Sequence, residues 1–373
     1  MQSERGSAQA FRFRDRELSE RILERIKSLG VKIKVMHVCG THQDTLVRFG
    51  LEPLLEGVGV EVRQGPGCPV CVTTTGEIEE ALALARAGKG VLTFGDMMKV
   101  PGATGSLRDA KAEGADVRVV YSSLDALRIA KEEPAKEFVY LGIGFETTAP
   151  STAALVLRET PPNLKILSFH RLVPPALEAI LEMGEIKLEG FIEPGHVSVI
   201  IGEKAYEFIT ERYGMPQVIA GFEPLDLLMA TYMLAKMKKE GKPALVNEYR
   251  RAVRREGNQR ALKAIEDAFT PVKKEWRGFP SIPSSALEIR EEFSEKNARV
   301  VYEDLLKEVW RRRYEEPPGC RCPEVLRGLI RSEECPLFGK ACTPENPVGP
   351  CMVSAEGSCN ILYRYGRVFR GNK

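Results

Sequence analysis

A short apolar strand, a glycine-containing loop and a helix recur along much of this 373-residue chain. The successive units are KVMHVCG before THQDTLVRFG, GVLTFGD before MMKVPG, FVYLGIGF before ETTAPSTAALVL, LKILSF before HRLVPPALEAIL, and QVIAGF before EPLDLLMATYMLAKM. Strands that alternate with helices at this spacing are typical of parallel βαβ units. The pattern predicts an α/β fold with doubly wound parallel sheets, whose ligands bind in the loops that follow the strands.

The length of the chain implies more than one domain, since domains usually have roughly 100–200 residues. We expect one α/β domain at residues 30–130, with Cys39 and the Cys68/Cys71 pair, and a second at 135–238. Residues 1–29 and 240–373 are expected to form a third domain, mainly helical and irregular. Its stretch at 240–315 has a helical, highly charged pattern, and the chain from Pro317 onward is rich in Cys, Pro and Gly.

Charge and hydropathy exclude two classes of partner. The net charge is only +2 at pH 7, which argues against capture of nucleic acid by the protein as a whole. The N-terminus lacks the apolar stretch of a signal peptide, and no segment approaches the ~18 apolar residues of a membrane span. We therefore expect a cytoplasmic protein that binds no membrane. In a reducing compartment, clustered cysteines indicate metal binding or redox chemistry rather than structural disulfides.

The nine cysteines fall into two groups at opposite ends of the sequence. Three lie between Cys39 and Cys71, six lie between Cys320 and Cys359, and none lies between the groups. Cysteines that serve as small core residues would be scattered along the chain. We interpret the first group as reactive thiols and the second as the ligands of a metal cluster.

The sequence Cys39-Gly40-Thr41-His42 follows an apolar strand and precedes a helix. A thiol near a helix N-terminus is expected to have a lowered pKa, and a thiolate is both a nucleophile and a soft metal ligand. His42 could be a second ligand or a proton carrier. The alternative is a buried cysteine at the end of a strand, followed by a histidine that only caps the helix.

The sequence Gly65-Pro66-Gly67-Cys68-Pro69-Val70-Cys71 contains a Cys-x-x-Cys pair. This spacing is typical of a thiol–disulfide couple, because the two sulfur atoms can meet across a tight turn. The same pair could supply half of a zinc site, with Cys39 and His42 as the other ligands. Inert cysteines in a turn are the third alternative.

The C-terminal cysteines could supply four thiolates with the spacing Cys322-x12-Cys335-x6-Cys342-x16-Cys359. Four soft ligands favour an iron–sulfur cluster or zinc. Paired Cys-x-x-Cys spacing, which is typical of zinc ribbons, is absent from this segment. Spacing alone does not decide which four of the six cysteines bind, since Cys320 and Cys351 are also present. Scattered structural thiols are the remaining alternative.

The loop at residues 142–150, GIGFETTAP, lacks the third glycine of a dinucleotide-binding fingerprint. Glu146, Thr147 and Thr148 lie where a helix begins, so they are expected to cap it. The functional alternative is that these three residues form the polar wall of a site between the two α/β domains. The tripeptide Gly-Phe-Glu recurs at residues 221–223.

Together these motifs resemble the HypD family, hydrogenase maturation proteins that help to build the iron centre of nickel–iron hydrogenases. The resemblance covers residues 30–365 and includes the tail CTPENPVGPCMVSAEG at 342–357. It implies a HypC-type small chaperone as partner and a HypE-type partner that donates cyanide. It also implies that the chain is a scaffold for the Fe(CN)2CO fragment, and we expect it to be monomeric on its own.

The resemblance also implies roles for individual residues. Cys39 would bind the transient iron that carries cyanide and carbon monoxide, with His42 close by. Cys68 and Cys71 would be a redox-active dithiol, and the residues of the loop at 144–150 would line the cleft. A [4Fe-4S] cluster would be held by Cys322, Cys335, Cys342 and Cys359. A stand-alone iron–sulfur thiol–disulfide reductase, similar to ferredoxin–thioredoxin reductase, is the alternative function, and a zinc-stabilised binding protein is a third.

Overall fold

The structure is a computed structural model that describes residues 14–366. The expected third domain begins and ends with residues 1–13 and 367–373, which lie outside the described part. The strands are β1 (Ile33–His37), β2 (Val60–Gln64), β3 (Gly90–Thr93), β4 (Val117–Val119), β5 (Phe138–Gly144), β6 (Leu164–His170), β7 (Phe191–Pro194), β8 (Gln217–Ala220), β9 (Leu245–Asn247), β10 (Phe269–Glu275) and β11 (Ser281–Ile289).

The α-helices alternate with the strands over the first two thirds of the chain and dominate the last part. They are α1 (Arg16–Leu29), α2 (Gly40–Arg48), α3 (Leu51–Gly57), α4 (Pro69–Val72), α5 (Thr75–Arg86), α6 (Leu107–Ala112), α7 (Ser123–Glu132), α8 (Ala149–Leu157), α9 (Val173–Met183), α10 (Gly195–Ile201), α11 (Glu207–Tyr213), α12 (Pro224–Glu240), α13 (Gln259–Ala268), α14 (Ala298–Val301), α15 (Glu303–Arg311), α16 (Cys322–Leu326), α17 (Pro350–Val353) and α18 (Ser358–Tyr365).

Two parallel sheets form the α/β part of the fold, as the strand–helix pattern predicts. Sheet A has the strand order β2-β1-β7-β8-β9, and sheet B has the order β4-β3-β5-β6. Every strand pair within these two sheets is parallel. The carboxyl ends of neighbouring strands therefore meet at one edge of each sheet, where the cysteine and Gly-Phe-Glu motifs lie.

The sheets do not follow the continuous segments 30–130 and 135–238 that we expected from chain order. In sheet A, β1 pairs with β2 and with β7, which is more than 150 residues further along the chain. Sheet B takes β3 and β4 from the first expected segment and β5 and β6 from the second. Periodicity identifies each strand–helix unit, but it contains no information about which strands become neighbours.

The helical pattern expected at 240–315 is interrupted by strands. β9 completes sheet A, and β10 and β11 form an antiparallel ribbon. Pro271 and Pro283 lie within these two strands, and Pro280 lies in the turn between them. Proline lacks the N–H that a helix interior requires, so this segment cannot continue the helical pattern on either side of it.

None of the helices between residues 14 and 366 combines the length and the hydropathy required to span a bilayer.

A buried ion pair joins α5, the end of β6 and the ribbon. The Arg171 Nη2 lies 2.6 Å from the Glu77 Oε2, and both side chains are almost fully buried. Arg171 also donates to the main-chain oxygen of Glu275 in β10. Burial alone would raise the pKa of Glu77, but the charges of Arg171, Lys274 and Arg299 hold this pKa at about 2.

We expect Glu77→Gln to lower the free energy of unfolding by about 3–5 kcal/mol, because Arg171 would be left buried without a charged partner. The pKa of Glu77 falls from 4.5 to about 2 in the folded chain. The contribution of ionised Glu77 to the free energy of unfolding is therefore present above pH 4.5 and is lost as the pH falls toward 2. Urea titrations at several pH values measure this free energy. Glu132→Gln, which removes an exposed pair with Arg128, is the control and should cost less than about 1 kcal/mol.

Candidate functional site

The first two cysteine motifs are packed backbone against backbone. Cys39 follows β1 and is the N-cap residue of α2, whereas Gly67 follows β2 in the neighbouring loop. A Cβ atom on Gly67 would lie 2.1 Å from the Cys39 nitrogen, so only glycine fits. The N–H of Gly40 donates to the carbonyl of Gly67 over 3.2 Å. Parallel pairing of β1 and β2 thus brings Cys39 beside the Cys68/Cys71 loop.

The thiol of Cys39 is buried, with only 1% of the residue exposed. Burial raises its pKa to about 12, although main-chain N–H groups at the start of α2 act in the opposite direction. The prediction of a lowered pKa from the helix N-terminus is therefore wrong. Loss of water around the sulfur outweighs the hydrogen bonds of the helix end.

His196 lies beside this thiol, and the sequence did not point to it. The Cys39 Sγ lies 3.8 Å from the His196 Nδ1. His196 is in α10, directly after β7, and β7 is the sheet A neighbour of β1. The sequence signal was present in Pro194-Gly195-His196, another strand-to-helix junction, but its proximity to Cys39 depends on the strand order.

His42 connects the Cys39 motif with the second Gly-Phe-Glu sequence. Its Nε2 lies 2.9 Å from the main-chain oxygen of Gly221, and its ring packs against Phe222. Thr45, one turn further along α2, donates to the main-chain oxygen of Phe222 over 2.6 Å. Burial, reinforced by the charges of His37 and His196, lowers the pKa of His42 to about 3. The imidazole is therefore neutral at physiological pH.

The first Gly-Phe-Glu sequence places a buried carboxyl group at the end of β5. Glu146 is 2% exposed, and its Oε1 accepts a hydrogen bond from the Val173 N–H. Its Oε2 has no hydrogen-bond partner within residues 14–366. Burial raises the pKa of Glu146 to about 7. This carboxyl group can therefore gain or lose a proton near neutral pH.

The two threonines after Glu146 do not cap α8 with their side chains, contrary to the capping prediction. Thr148 is the N-cap residue but makes no side-chain cap. Its hydroxyl instead donates to the main-chain oxygen of Ile143 over 3.1 Å, which folds the loop back on β5. Gly144 has φ of +138°, and a Cβ there would overlap the Thr148 hydroxyl. Thr147 is half-buried in the same loop.

A second buried carboxyl group lies at the end of β7 and was not singled out in the sequence. Glu193 is fully buried, and neither of its carboxyl oxygens has a hydrogen-bond partner within the described chain. Burial raises its pKa well above 4.5. Nearby Tyr206 has a raised pKa, first through burial and then through the charges of Glu193, Glu146 and Cys39. Carboxyl groups from both sheets and the Cys39 thiol thus all act electrostatically on Tyr206.

Cys68 and Cys71 form a disulfide bond. Cys68 is the N-cap residue of the short helix α4, and Cys71 lies within it. Both residues are fully buried. The Cys71 Sγ lies 4.0 Å from the main-chain oxygen of Pro350, the residue that begins α17. The disulfide is therefore in contact with the C-terminal cysteine-rich segment.

The six C-terminal cysteines line one cavity of about 280 Å³, which also includes space open to solvent. Apolar side chains of Val325, Phe338 and Met352 form the rest of its wall. The N–H of Val348 donates to the Cys342 sulfur over 3.3 Å. Within the described chain, no set of three or more His, Cys, Asp or Glu residues is arranged to hold a single metal ion.

Burial and contacts among the thiols together shift the pKa values of these cysteines. The hydrogen bond with Cys320 lowers the pKa of Cys322, but a hydrogen bond with Cys351 and burial raise it well above its usual value. Burial raises the pKa of Cys359 as well, and the charges of Cys322, Cys342 and Cys335 act in the same direction. These thiols therefore share one environment.

The tail also reaches the Cys39 loop. A Cβ on Gly40 would lie 2.5 Å from the Cβ of Glu356, so the tail packs directly on this glycine. The charge of Glu356 adds to the raised pKa of Cys39 that burial causes. Ser354 anchors the tail from the other side, because its hydroxyl lies 2.9 Å from the Asp96 Oδ2. The two cysteine groups are thus brought together by the fold.

Comparison with known proteins identifies the family of the chain. The family model HypD, described as "Hydrogenase formation hypA family", matches residues 15–366. The chain belongs to the HypD family. The hydrogenase maturation factor HypD of Cupriavidus necator is 43% identical over 374 residues, which covers 95% of this chain and 96% of that protein.

Other relatives match over similar lengths. The HypD of Rhodobacter capsulatus is 41% identical over 370 residues, covering 96% of this chain and 98% of its own length. A protein of Methanocaldococcus jannaschii is 44% identical over 360 residues, covering 95% of this chain and 99% of its own. The HypD resemblance noted in the motifs is therefore confirmed over nearly the whole chain.

We expect Glu146→Gln to remove part of the pH dependence of stability in this HypD-family chain. The pKa of Glu146 rises from 4.5 to about 7 on folding. Its contribution to stability is full below pH 4.5 and is lost as the pH rises through 7. Between pH 4.5 and pH 8, the wild-type chain should therefore lose about 3 kcal/mol more unfolding free energy than the variant.

Denaturant titrations at the two pH values measure this difference. Glutamine keeps an Oε1 that can accept the hydrogen bond from Val173. The comparison of wild type and variant therefore reports only the loss of the titratable carboxyl group. Glu159→Gln, an exposed substitution, is the control and should follow the wild type. Identical pH profiles for wild type and Glu146→Gln would contradict a raised pKa at this residue.

Proposed function

We propose that this chain is a hydrogenase maturation factor that holds the Fe(CN)2CO fragment, its substrate, together with a HypC-type small chaperone. A HypE-type partner would supply the cyanide ligands. The observation that carries the proposal is that the Cys39 loop, the Cys68–Cys71 disulfide and the cysteine-rich tail all lie in contact with one another. Family membership supports the same function.

Cys39 is the residue proposed to bind the iron. Burial raises the pKa of its thiol to about 12, so the thiol keeps its proton at neutral pH. Binding of a cation would displace that proton, because a metal ligand must be deprotonated. The thiolate would then donate electron density to low-spin iron(II), which cyanide and carbon monoxide favour. His196 lies 3.8 Å from the sulfur, and because burial lowers its pKa to about 4, its imidazole would pass the displaced proton on to solvent rather than keep it.

The buried carboxyl groups would control protons around the same iron. Glu146 has a pKa of about 7 and a free Oε2, so it can hold a proton on this oxygen or release it. Burial, unrelieved by any hydrogen bond within the described chain, raises the pKa of Glu193 well above 4.5 and so favours its neutral form. In that form Glu193 would add no second negative charge near the anionic cyanide ligands. Thr147 and Thr148 shape the loop that carries Glu146.

The donor set of the C-terminal cavity suits an iron–sulfur cluster. Thiolates are the preferred ligands of such clusters, and the rest of the wall is apolar. Cys322, Cys335, Cys342 and Cys359 would hold a [4Fe-4S] cluster, which when bound supplies one-electron transfer. The Cys68–Cys71 disulfide needs two electrons and two protons to become two thiols. Its contact with Pro350, next to Cys351, gives the dithiol a short route to the cavity.

We expect serine in place of Cys342 or Cys359 to lower the iron and acid-labile sulfide content of anaerobically purified protein by more than half, because each change removes a proposed ligand. Cys351→Ser is the matched control and should retain both elements. The Cys68→Ser/Cys71→Ser double variant should also retain them while hydrogenase maturation is lost. A colourless wild-type protein that contains zinc and no sulfide would rule out the cluster.

We expect Cys39→Ala to abolish the infrared bands of iron-bound cyanide and carbon monoxide in the complex with the small chaperone. The cluster iron should be unchanged, since Cys39 does not line the cysteine cavity. Cys320→Ser serves as the control and should keep the bands. Bands that persist in Cys39→Ala would show that another group holds the iron. Disulfide exchange of a protein thiol in the absence of any iron–cyanide species would favour the alternative, a stand-alone reductase.

A further inference from the structure

A groove that the proposed function leaves unused runs past the turn of the ribbon. Its walls are the start of α5, the turn between β10 and β11, and the chain at the end of α15. It contains about 1610 Å³ of space, including the part that is open to solvent.

The free charges of this groove are mostly positive. Three of its carboxylates are already neutralised by ion pairs, namely Glu77 with Arg171, Glu80 with Arg299 and Glu316 with Arg277. Three exposed cations of the groove form no ion pair within the described chain: Lys273, Arg312 and Arg313. Glu275 is the single carboxylate of the lining with no ion pair within residues 14–366. A negatively charged partner is therefore favoured here over a positively charged one.

An exposed aromatic side chain lies among these cations. Trp310 is 44% exposed, and its Nε1 donates to the Glu80 Oε1 over 2.8 Å, which fixes its orientation. Tyr314 packs on Gly76, about one turn before Glu80 in α5. Tryptophan and arginine are the residue types enriched at the centres of protein interfaces. The groove thus has the chemistry of a protein-binding surface rather than that of a solvated helix face.

The turn of the ribbon connects this groove with both proposed redox groups. The N–H of Arg277 donates to the main-chain oxygen of Val72 over 2.8 Å, and its Nε donates to that of Thr73 over 3.0 Å. Val72 is the residue after Cys71. On the other side, a Cβ on Gly278 would lie 2.6 Å from the Cα of Pro323, the residue after Cys322. A partner in the groove would contact this turn, which packs against the residues that follow Cys71 and Cys322.

We propose that this groove is the docking surface for an acidic protein that carries one electron at a time. The proposal rests on the proposed function, because it names the source of the electrons that the disulfide requires. Each docking event would oxidise one reduced carrier by one electron. Two events, with two protons from solvent, would convert the Cys68–Cys71 disulfide into two thiols.

The test uses the full-length, anaerobically prepared protein with its cluster, and a reduced plant-type ferredoxin as the acidic carrier. The rate of thiol formation at Cys68 and Cys71 is followed by alkylation and mass spectrometry at several salt concentrations. We expect the triple variant Lys273→Glu/Arg312→Glu/Arg313→Glu to lower the second-order rate at low salt about tenfold or more. Its rate should also depend less on salt than that of the wild type.

The matched control reverses three other exposed cations that form no ion pair in the described chain, Lys204→Glu/Lys239→Glu/Lys242→Glu. This control variant has the same net charge as the groove variant, and its second-order rate should fall less than threefold. Reduced methyl viologen, a small one-electron donor, should reduce the wild type and both variants at equal rates, which shows that the cluster and disulfide are intact.

Three outcomes would overturn the proposal. An equal fall of the reduction rate in both triple variants would show an effect of net charge rather than of the groove. An unchanged rate and salt dependence in the groove variant would place docking elsewhere. Calorimetric binding of inorganic phosphate to the groove, without reduction by ferredoxin, would identify a small-anion site. Failure of methyl viologen to produce thiols in the wild type would instead contradict the proposed redox function itself.

Discussion

The contact between Gly67 and Cys39 is the constraint on which the site depends. No side chain fits between the two loops, because a Cβ on Gly67 would overlap the backbone at Cys39. The absence of a side chain lets the ends of β1 and β2 approach each other, and it fixes the disulfide loop against the proposed iron ligand. The tail is held by a similar contact between Gly40 and Glu356. Glycine is thus required here for close approach of two chain segments, which is one of its few irreplaceable uses.

The site is electrostatically unusual because burial, rather than charge pairing, sets most of its protonation states. Cys39, Glu146 and Glu193 are all held in their neutral forms more strongly than they would be in water. His42 is neutral for the same reason. The anionic iron–cyanide fragment that we propose as substrate would therefore enter surroundings with little negative charge of their own. The buried pair of Glu77 and Arg171, by contrast, stabilises the fold where β6 meets the ribbon.

Much of the α/β fold could be predicted from the sequence, because each strand and helix leaves a local periodic pattern. The pairing of β1 with β7 could not, since it is decided by packing between segments that are far apart in the chain. The same limitation explains why the sequence points to His42, and not to His196, as a candidate ligand or proton carrier. His42 is close to Cys39 in sequence, whereas His196 is close only through the strand order. Glu193 was missed because one glutamate in an apolar strand has no distinguishing spacing.

The order of the strands in sheet A has a consequence for the growing chain. β1 and β2 leave the ribosome first, but β7, the inner neighbour of β1, follows only after the whole of sheet B has been made. The tail that packs on Gly40 is synthesised last. The surroundings of Cys39 are therefore completed only at the end of translation. A truncated or half-synthesised chain has the thiol but not the buried, neutral environment around it, so its sulfur stays accessible to any metal or oxidant in the cell.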